Sequence, residues 1–416
     1  MSLSSHDLPA PRTDSPPPSG WRNRSSLGIG SASFLADAGH EVPTSLLPSL
    51  LTATLGAPAA ALGLIEGVAD ALAGVARLGG GALADDPDRR VRSAVGGYTA
   101  TAVLSAGIGA ATSVVQVALL RAGAWTARGL RVPARNALLA DAVAPEQYGA
   151  AYGFERAMDN FGAIAGPLLA LALVAAVGVR NAILLSVIPG LLAALAVVYA
   201  VRHLPRTHRR ERQPLRLRVR PVLATPLRRL APGITLFELG NIAATLLILR
   251  ATELLSPDRG IDAATTIALG LYAAYNTAAA LASFPAGRAT DRQGSLAVLV
   301  AGVALFGVAY LGLAITGSDM VALAGCFVAA GIAIGCVETA EHTAVAAHAP
   351  DAVRGSAFGL LAAVQAFGNL IASGVAGLLW TIVNPTAAFV FAGTLMLVAV
   401  IALLAAGKNE QVKAPV

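Results

Sequence analysis

The chain has 416 residues, of which 56% are hydrophobic and only 13% charged. Ordinary globular domains carry about 25% charged residues, so a soluble protein of this size is excluded and a polytopic membrane protein is expected. The net charge of +6, from 28 Arg and 2 Lys against 24 acids, would by itself also suit nucleic-acid binding, but the placement of the arginines argues against that.

Residues 1–26 are polar and carry Pro9, Pro11, Pro16, Pro17 and Pro18. They hold no apolar core of signal-peptide length and read as a disordered cytoplasmic tail. Twelve apolar segments of roughly 20 residues follow. They cover about 27–51, 58–84, 93–115, 118–140, 149–177, 180–202, 230–254, 263–287, 295–316, 320–346, 354–382 and 385–406. The expected organisation is a six-helix bundle over 27–202, a basic cytoplasmic linker over 203–229, a second six-helix bundle over 230–406 and a cytoplasmic tail over 407–416.

Arginines at the segment ends set the orientation. Arg22, Arg24, Arg89, Arg90, Arg92, Arg202, Arg288, Arg292, Arg354, Lys408 and Lys413 fall on one side. The linker arginines Arg206, Arg209, Arg210, Arg212, Arg216, Arg218 and Arg220 join them, whereas the other side has little beyond Arg180 and Arg259. Both termini and the linker are therefore expected in the cytoplasm, with the chain in a bacterial inner membrane. This asymmetry accounts for the basic character without nucleic acid. The linker also suits anionic lipid headgroups.

The chain repeats itself at a fixed offset. Gly81-Ala-Leu-Ala-Asp85 returns as Gly287-Arg-Ala-Thr-Asp291, and Gly149, Gly153 and Gly162 return as Gly355, Gly359 and Gly368. Each difference is 206, since 287−81, 355−149, 359−153 and 368−162 agree. Two tandem copies of a helical membrane unit point to a transporter made of two parallel bundles with the solute path between them.

In the fifth segment Gly153, Gly162, Gly166 and Pro167 are spaced for a flat face on which another helix packs, with a bend allowed at the proline. Gly153-x8-Gly162-x3-Gly166-Pro167 resembles the antiporter motif of the major facilitator superfamily, without the Gly-Gly that often follows. The loop Gly81-Ala-Leu-Ala-Asp85-Asp86-Pro87-Asp88-Arg89-Arg90 resembles the loop signature of that superfamily, with Asp86 and Asp88 in place of Arg and Gly. The second copy, ending Asp291-Arg292-Gln293-Gly294, keeps both.

A largely uncharacterised bacterial and archaeal subgroup is resembled further, over about residues 30–405. The resemblance rests on Ala61-Leu-Gly-Leu-Ile-Glu66-Gly-Val-Ala-Asp70, Arg135-Asn-Ala-Leu-Leu-Ala-Asp141, Arg156-Ala-Met-Asp159, Phe237-Glu-Leu-Gly-Asn241, Tyr275-Asn276 and Phe284-Pro-Ala-Gly287. Against that pattern Asn136, Ala124 and Ala244 replace acids and His342 replaces Arg. The resemblance implies an all-α membrane protein: twelve transmembrane helices in two pseudo-symmetric six-helix bundles. It also implies a cytoplasmic gate made of Gly81, Asp85, Arg89, Arg90, Gly287, Asp291 and Arg292, latched by ion pairs.

Ionisable groups inside membrane helices cost at least about 2.5–3.5 kcal/mol each and need a partner or a function. Asp37 and Glu41 share one helix face at i,i+4, as do Glu66 and Asp70. These four are the candidate proton carriers, because a desolvated carboxylate takes up and releases protons near neutral pH. Arg121 and Arg135 are their candidate partners, and Arg156 and Asp159 add charge in the fifth segment. A permanent ion-pair network holding the bundle is the competing reading. Asn241, Tyr275, Asn276, Glu338, Gln365 and Asn369 are polar positions on apolar segments and candidate substrate-path residues; interhelical hydrogen bonding is the alternative.

Cys326 and Cys336 lie ten residues apart in one segment, out of reach of each other, and read as small buried apolar side chains. Hydrolase, zincin and phosphate-loop signatures are absent, and the six His are scattered. No enzyme activity, cofactor or metal is expected. The expectation is a monomeric secondary transporter coupling a small organic solute to protons, by efflux on the strength of the antiporter-type motif. Proton-coupled uptake and a non-transporting scaffold or sensor are the alternatives.

Overall fold

A computed structural model describes residues 20–204 and 215–411, which form fourteen α-helices and no strand among the described residues. The first half holds α1 (Arg24–Ser49), α2 (Ala59–Ala84), α3 (Pro87–Gly107), α4 (Val114–Ala142), α5 (Tyr148–Leu185) and α6 (Val187–Arg202). A short α7 (Val219–Leu223) lies in the connector. The second half holds α8 (Leu227–Gly240), α9 (Ala244–Arg259), α10 (Ile261–Gln293), α11 (Ser295–Ile315), α12 (Met320–His348), α13 (Arg354–Ile382) and α14 (Pro385–Gln411). Because α8 and α9 together make one span, these helices form twelve spans in two pseudo-symmetric bundles. Of the tail expected over 1–26, residues 1–19 lie outside the described residues, as do the linker arginines Arg206, Arg209, Arg210 and Arg212, and Lys413, whereas α1 already begins at Arg24.

Local chemistry sets the ends. Asn23 caps α1, its side chain accepting from Ser26 N at 2.9 Å. Ser113 caps α4 by accepting from Gln116 N. Asp86 caps α3, accepting from the backbone of Asp88 and Arg89 with Pro87 behind it at the first turn. The acid that departs from the loop signature is thus the group that starts the third span, and Asp88 adds negative charge where the helix dipole favours it.

Two breaks differ from the expected segments. The non-helical backbone inside α5 falls at Gly178 (φ 77°, ψ 169°), not at Pro167, and the chain turns there into the sixth span. A side chain is strongly disfavoured in that conformation. Segment seven is broken between Gly240 and Ala244. Its freed backbone is satisfied by neighbours, with Ala243 N donating to Ser373 Oγ at 2.8 Å and Asn369 Nδ2 donating to the Asn241 carbonyl at 2.8 Å.

Seven stretches are long and apolar enough to cross a membrane, from Pro145–Arg202 through Pro385–Gly407. The helices α1 to α4 are not among them; they carry most of the charges that the first bundle buries, with Glu155 and Arg156 on α5. In each half the first helix packs on the fifth and the second on the fourth: α1 on α5, α2 on α4, α8 on α13 and α10 on α12. Leu64, Leu119, Leu171, Leu195, Val321 and Ile382 stand exposed, as lipid-facing side chains would.

The halves meet at two crossings related by the 206-residue repeat, α2 with α13 and α10 with α5. Only glycine fits there. A Cβ on Gly81 would meet the Gly355 carbonyl oxygen and Gly359 Cα, each at 2.9 Å. A Cβ on Gly287 would meet the Gly149 carbonyl carbon at 2.7 Å and Gly153 Cα at 3.2 Å.

Candidate functional site

The crossings lie toward the face that carries the arginines, and each is closed by a carboxylate on a helix N-terminus. Asp85 accepts from Ser356 N at 2.8 Å and from Ser356 Oγ at 2.5 Å. Asp291 accepts from Gly149 N at 2.6 Å and Ala150 N at 2.8 Å. Burial pushes the Asp85 carboxyl above its ordinary range, partly opposed by the two Ser356 donors. Arg90 donates to the Ala84 carbonyl at 2.7 Å and pairs with Asp141, which also lies 3.5 Å from Arg354 of the second half. Arg89 sits 4.0 Å from Asp86, and Arg292 is exposed. Trp21 joins the same face, its ring against Phe154 of one half and Phe284 of the other.

The glycines of α5 serve two partners. Gly153 meets α10, whereas Gly162 and Gly166 lie against α1, where a Cβ on Gly162 would strike the Phe34 carbonyl oxygen at 2.6 Å and Asp37 Cβ at 2.9 Å. Pro167 is exposed.

Between the halves lies a cavity of about 410 Å³, a size suited to a small solute. Its first-half wall includes Asp37, Asp70, Arg77, Arg128, Arg135, Arg156 and Asp159; its second-half wall includes Glu238, Asn241, Glu338, His342, Gln365 and Asn369. Tyr275 and Asn276 are outside that lining: Tyr275 stacks on Tyr272, and Asn276 donates to the Tyr272 carbonyl at 3.0 Å.

The first-half charges form two linked sets. Asp37 lies 3.2 Å from His40 Nδ1 and 3.5 Å from Arg128, while His40 Nε2 lies 3.3 Å from Glu41. On α2 and α4, Glu66 pairs with Arg121 at 2.9 Å and Asp70 accepts from Trp125 Nε1 at 2.8 Å. These make two rungs one helical turn apart, and Arg121 also covers the Trp125 ring at 3.3 Å. The second set centres on Glu155, fully buried between Arg135 at 2.8 Å and Arg156 at 2.8 Å. Asp159 joins both guanidinium groups at 3.3 and 3.2 Å. Arg156 also reaches across the cavity to within 3.8 Å of Glu338.

Arg121 therefore meets one of the four candidate carriers, Glu66, but Arg135 meets none of them. It is spoken for by Glu155 and Asp159, because α5 carries these acids onto the α4 face that Arg135 occupies. Sequence reasoning passed over Glu155, Arg128, Trp125 and Asp141 as site residues. The repeat offered no signal for them, since the positions 206 residues on are Leu361, Ile334, Gly331 and Ala347.

The sequence signature of the Major Facilitator Superfamily matches residues 29–269 and again 242–415. An uncharacterised MFS-type transporter of Methanocaldococcus jannaschii is 27% identical over 381 residues, covering 90% of this chain and 93% of that one. An uncharacterised protein of Mycobacterium tuberculosis is 29% identical over 350 residues, covering 83% of each. Among solved structures, a bacterial homologue of the iron transporter ferroportin in an outward-facing state superposes with a TM-score of 0.74 at 16% identity, over 93% of this chain and 100% of that one. The human organic anion transporter MFSD10 gives 0.69 at 18% identity, over 91% and 99%. The Escherichia coli fucose:proton symporter gives 0.70 at 16%, over 92% and 98%. A duplicated helical bundle, paired glycine crossings and a charged cavity between the halves agree with that signature along nearly the whole length: the chain belongs to the Major Facilitator Superfamily and is a secondary transporter working by alternating access.

Proposed function

We propose that this transporter expels a small organic solute across the cytoplasmic membrane in exchange for protons. The observation that carries the reading is the pair of acid–guanidinium sets lining the cavity, Asp37 with Arg128 and Asp159 with Arg135 and Arg156, the second of which reaches Glu338 of the other half. Protonating a carboxylate in such a network breaks a bridge and biases one conformation over the other. Asp37 is the preferred carrier of the four, because it lines the cavity and touches both His40 and Arg128. Glu41, Glu66 and Asp70 remain in the same proton-handling set.

The antiporter-type glycines support efflux. Gly162 and Gly166 bring α5 against the α1 face that bears Asp37 and Glu41, so solute movement between α1 and α5 acts directly on those acids. Clasping at the arginine-rich face fits an outward-facing conformation with both termini in the cytoplasm. Units of 27–202 and 230–406 rocking about these crossings, as a monomer, complete the reading. Asn241, Glu338, Gln365 and Asn369 are the solute contacts.

Everted vesicles acidified inside, with a pH-reporting dye, test this. Addition of a transported solute from a panel of cationic dyes, antibiotics and sugars should release protons in wild type, and Asp37→Asn or Glu66→Gln should abolish the release. Solute-dependent alkalinisation of the medium around right-side-out vesicles, with no release in everted ones, would instead assign uptake to the same acids.

A further inference from the structure

The two halves treat one pair of equivalent positions in opposite ways. In the first half, α4 and α5 meet through Arg135 and Asp159, 3.3 Å apart. The positions 206 residues on are Glu341 and Gln365, since 341−135 and 365−159 agree, and there Gln365 Nε2 donates to Glu341 Oε2 at 2.8 Å. The same contact between α12 and α13 has thus become a carboxyl held by a neutral amide. Glu155 and Arg156, which complete the first-half network, correspond to Leu361 and Ala362.

Glu341 is fully buried, and its Oε1 has no hydrogen-bond partner. Among the described residues no cation lies within ion-pair distance of it. The charged groups that act on it are two further acids, Glu238 of α8 and Glu338 of its own helix. Its neighbour His342 is enclosed by the rings of Tyr152 and Phe358. The cations facing this region are engaged elsewhere: Arg77 of α2 donates to the Ala362 carbonyl at 2.9 Å, Arg156 of α5 holds Glu155 and Asp159, and Arg135 of α4 holds the same two acids. The helix α11 has no charged residue, α13 carries only Arg354 at its start, and α10 has charges only at its ends. An ionised carboxylate buried without a cation costs several kcal/mol, whereas a carboxylic acid needs only hydrogen-bond partners.

We propose that Glu341 is a proton-binding site of the second half, occupied by a proton in this conformation and gated by Gln365. Gln365 lines the cavity while its amide seals Glu341 from it, so a proton arrives from cavity water and passes to Glu341 when that amide swings aside. The same helix, α13, carries Gly355, Ser356 and Gly359, the groups that clasp α2 and Asp85. Release of the clasp therefore displaces Gln365 and opens Glu341, which ties its proton exchange to the alternating-access step. The use of this proton in transport rests on the proton-coupled reading above; the site itself does not.

Infrared spectroscopy of the full-length protein in lipid nanodiscs at pH 7 tests the site without any solute, so its failure is distinguishable from failure of the antiport reading. Wild type should show the C=O stretch of a protonated carboxyl, Glu341→Gln should remove it and Glu238→Gln should leave it. Gln365→Leu should shift its frequency upward by deleting the amide hydrogen bond, an arm that stands even where Glu341→Gln does not fold. Persistence of the band in folded Glu341→Gln, its removal by Glu238→Gln alone, or an unchanged frequency in Gln365→Leu would each overturn the assignment.

Discussion

Alanine at Gly287 strikes the α5–α10 crossing where nothing can rotate away. The added methyl falls onto the carbonyl oxygen and carbon of Gly149 and within 3.2 Å of Gly153 Cα, all backbone atoms. Carbon atoms pack at about 3.5–4.0 Å, so the two helices must part by roughly 1 Å. That movement stretches the hydrogen bonds from Gly149 N and Ala150 N to Asp291, now 2.6 and 2.8 Å. Overpacking costs about 1–3 kcal/mol, and loss of two hydrogen bonds to a partly solvated charge adds about 1 kcal/mol each. The sum is about 3–5 kcal/mol, and its low end corresponds to roughly a 100-fold shift against the closed arginine-rich face, enough to bring a 99:1 equilibrium near parity. Spin labels on the exposed Glu146 and Gln293 would report the separation of the two helix ends by their distance distribution in nanodiscs. The control is Gly270→Ala on the same helix, where a Cβ meets nothing within 4 Å. An unchanged distribution in Gly287→Ala, or an equal shift in Gly270→Ala, refutes the latch.

Three further outcomes are expected. Burial raises the Asp85 carboxyl in the closed state, so between the ordinary value and the raised one the closed state binds more protons than the open state. Closure of the α2–α13 crossing should therefore strengthen as pH falls through that window and weaken as it rises, and Asp85→Asn should flatten the dependence; labels across that crossing read it, and a slope that survives in the variant speaks against the assignment. Glu155→Gln should lower unfolding stability by about 3 kcal/mol, the low end for a broken buried pair because Asp159 still serves both arginines; thermal unfolding in detergent within 0.5 kcal/mol of wild type would show the pair to be dispensable. Gly178→Ala should cost about 1–3 kcal/mol for its left-handed backbone, whereas exposed Pro167→Ala should cost less, and a reversed order in denaturant titration would put the bend of α5 back at the proline.

What was legible in the sequence is what the fold demands twice. Gly81, Gly149, Gly153 and Asp85 recur at one offset because each half must bring a backbone to within contact distance of the other and cap the helix it meets. That demand is steric, falls on a few residues at fixed spacing, and leaves a repeat anyone can count. Asp37 with Glu41, and Glu66 with Asp70, were legible for the related reason that an i,i+4 pair shares a helix face. The partners were less so. Trp125 and Arg121 answer Asp70 and Glu66 from about 55 residues away, and the spacing of a helix face says nothing about which helix lies opposite. The break at Gly240–Ala244 hid for a similar reason: an apolar run reads as one helix until a neighbour such as Ser373 supplies the hydrogen bonds that let it stop.

The repeat is most informative where it fails. Arg135 and Glu341 occupy equivalent positions, as do Asp159 and Gln365. Symmetric glycines let the two halves rock about the same crossings, so symmetry serves the movement. A carrier with the same charges in both walls would leave protonation no directional lever, because each half would respond alike. Inside the cavity the charge network of the first half reaches the second at Glu338, and the second half keeps its own acid, Glu341, behind an amide. On the proposed proton-coupled reading, the differences between the copies are where coupling resides, and substitutions that restore the repeat test this directly. Gln365→Asp, which recreates the first-half acid beside Glu341, places two carboxyls in contact with no cation between them. It should raise the proton content of the site by one carboxyl in the infrared spectrum while leaving both glycine crossings closed; a spectrum identical to wild type in a folded protein would show the asymmetry to be without consequence for the proton.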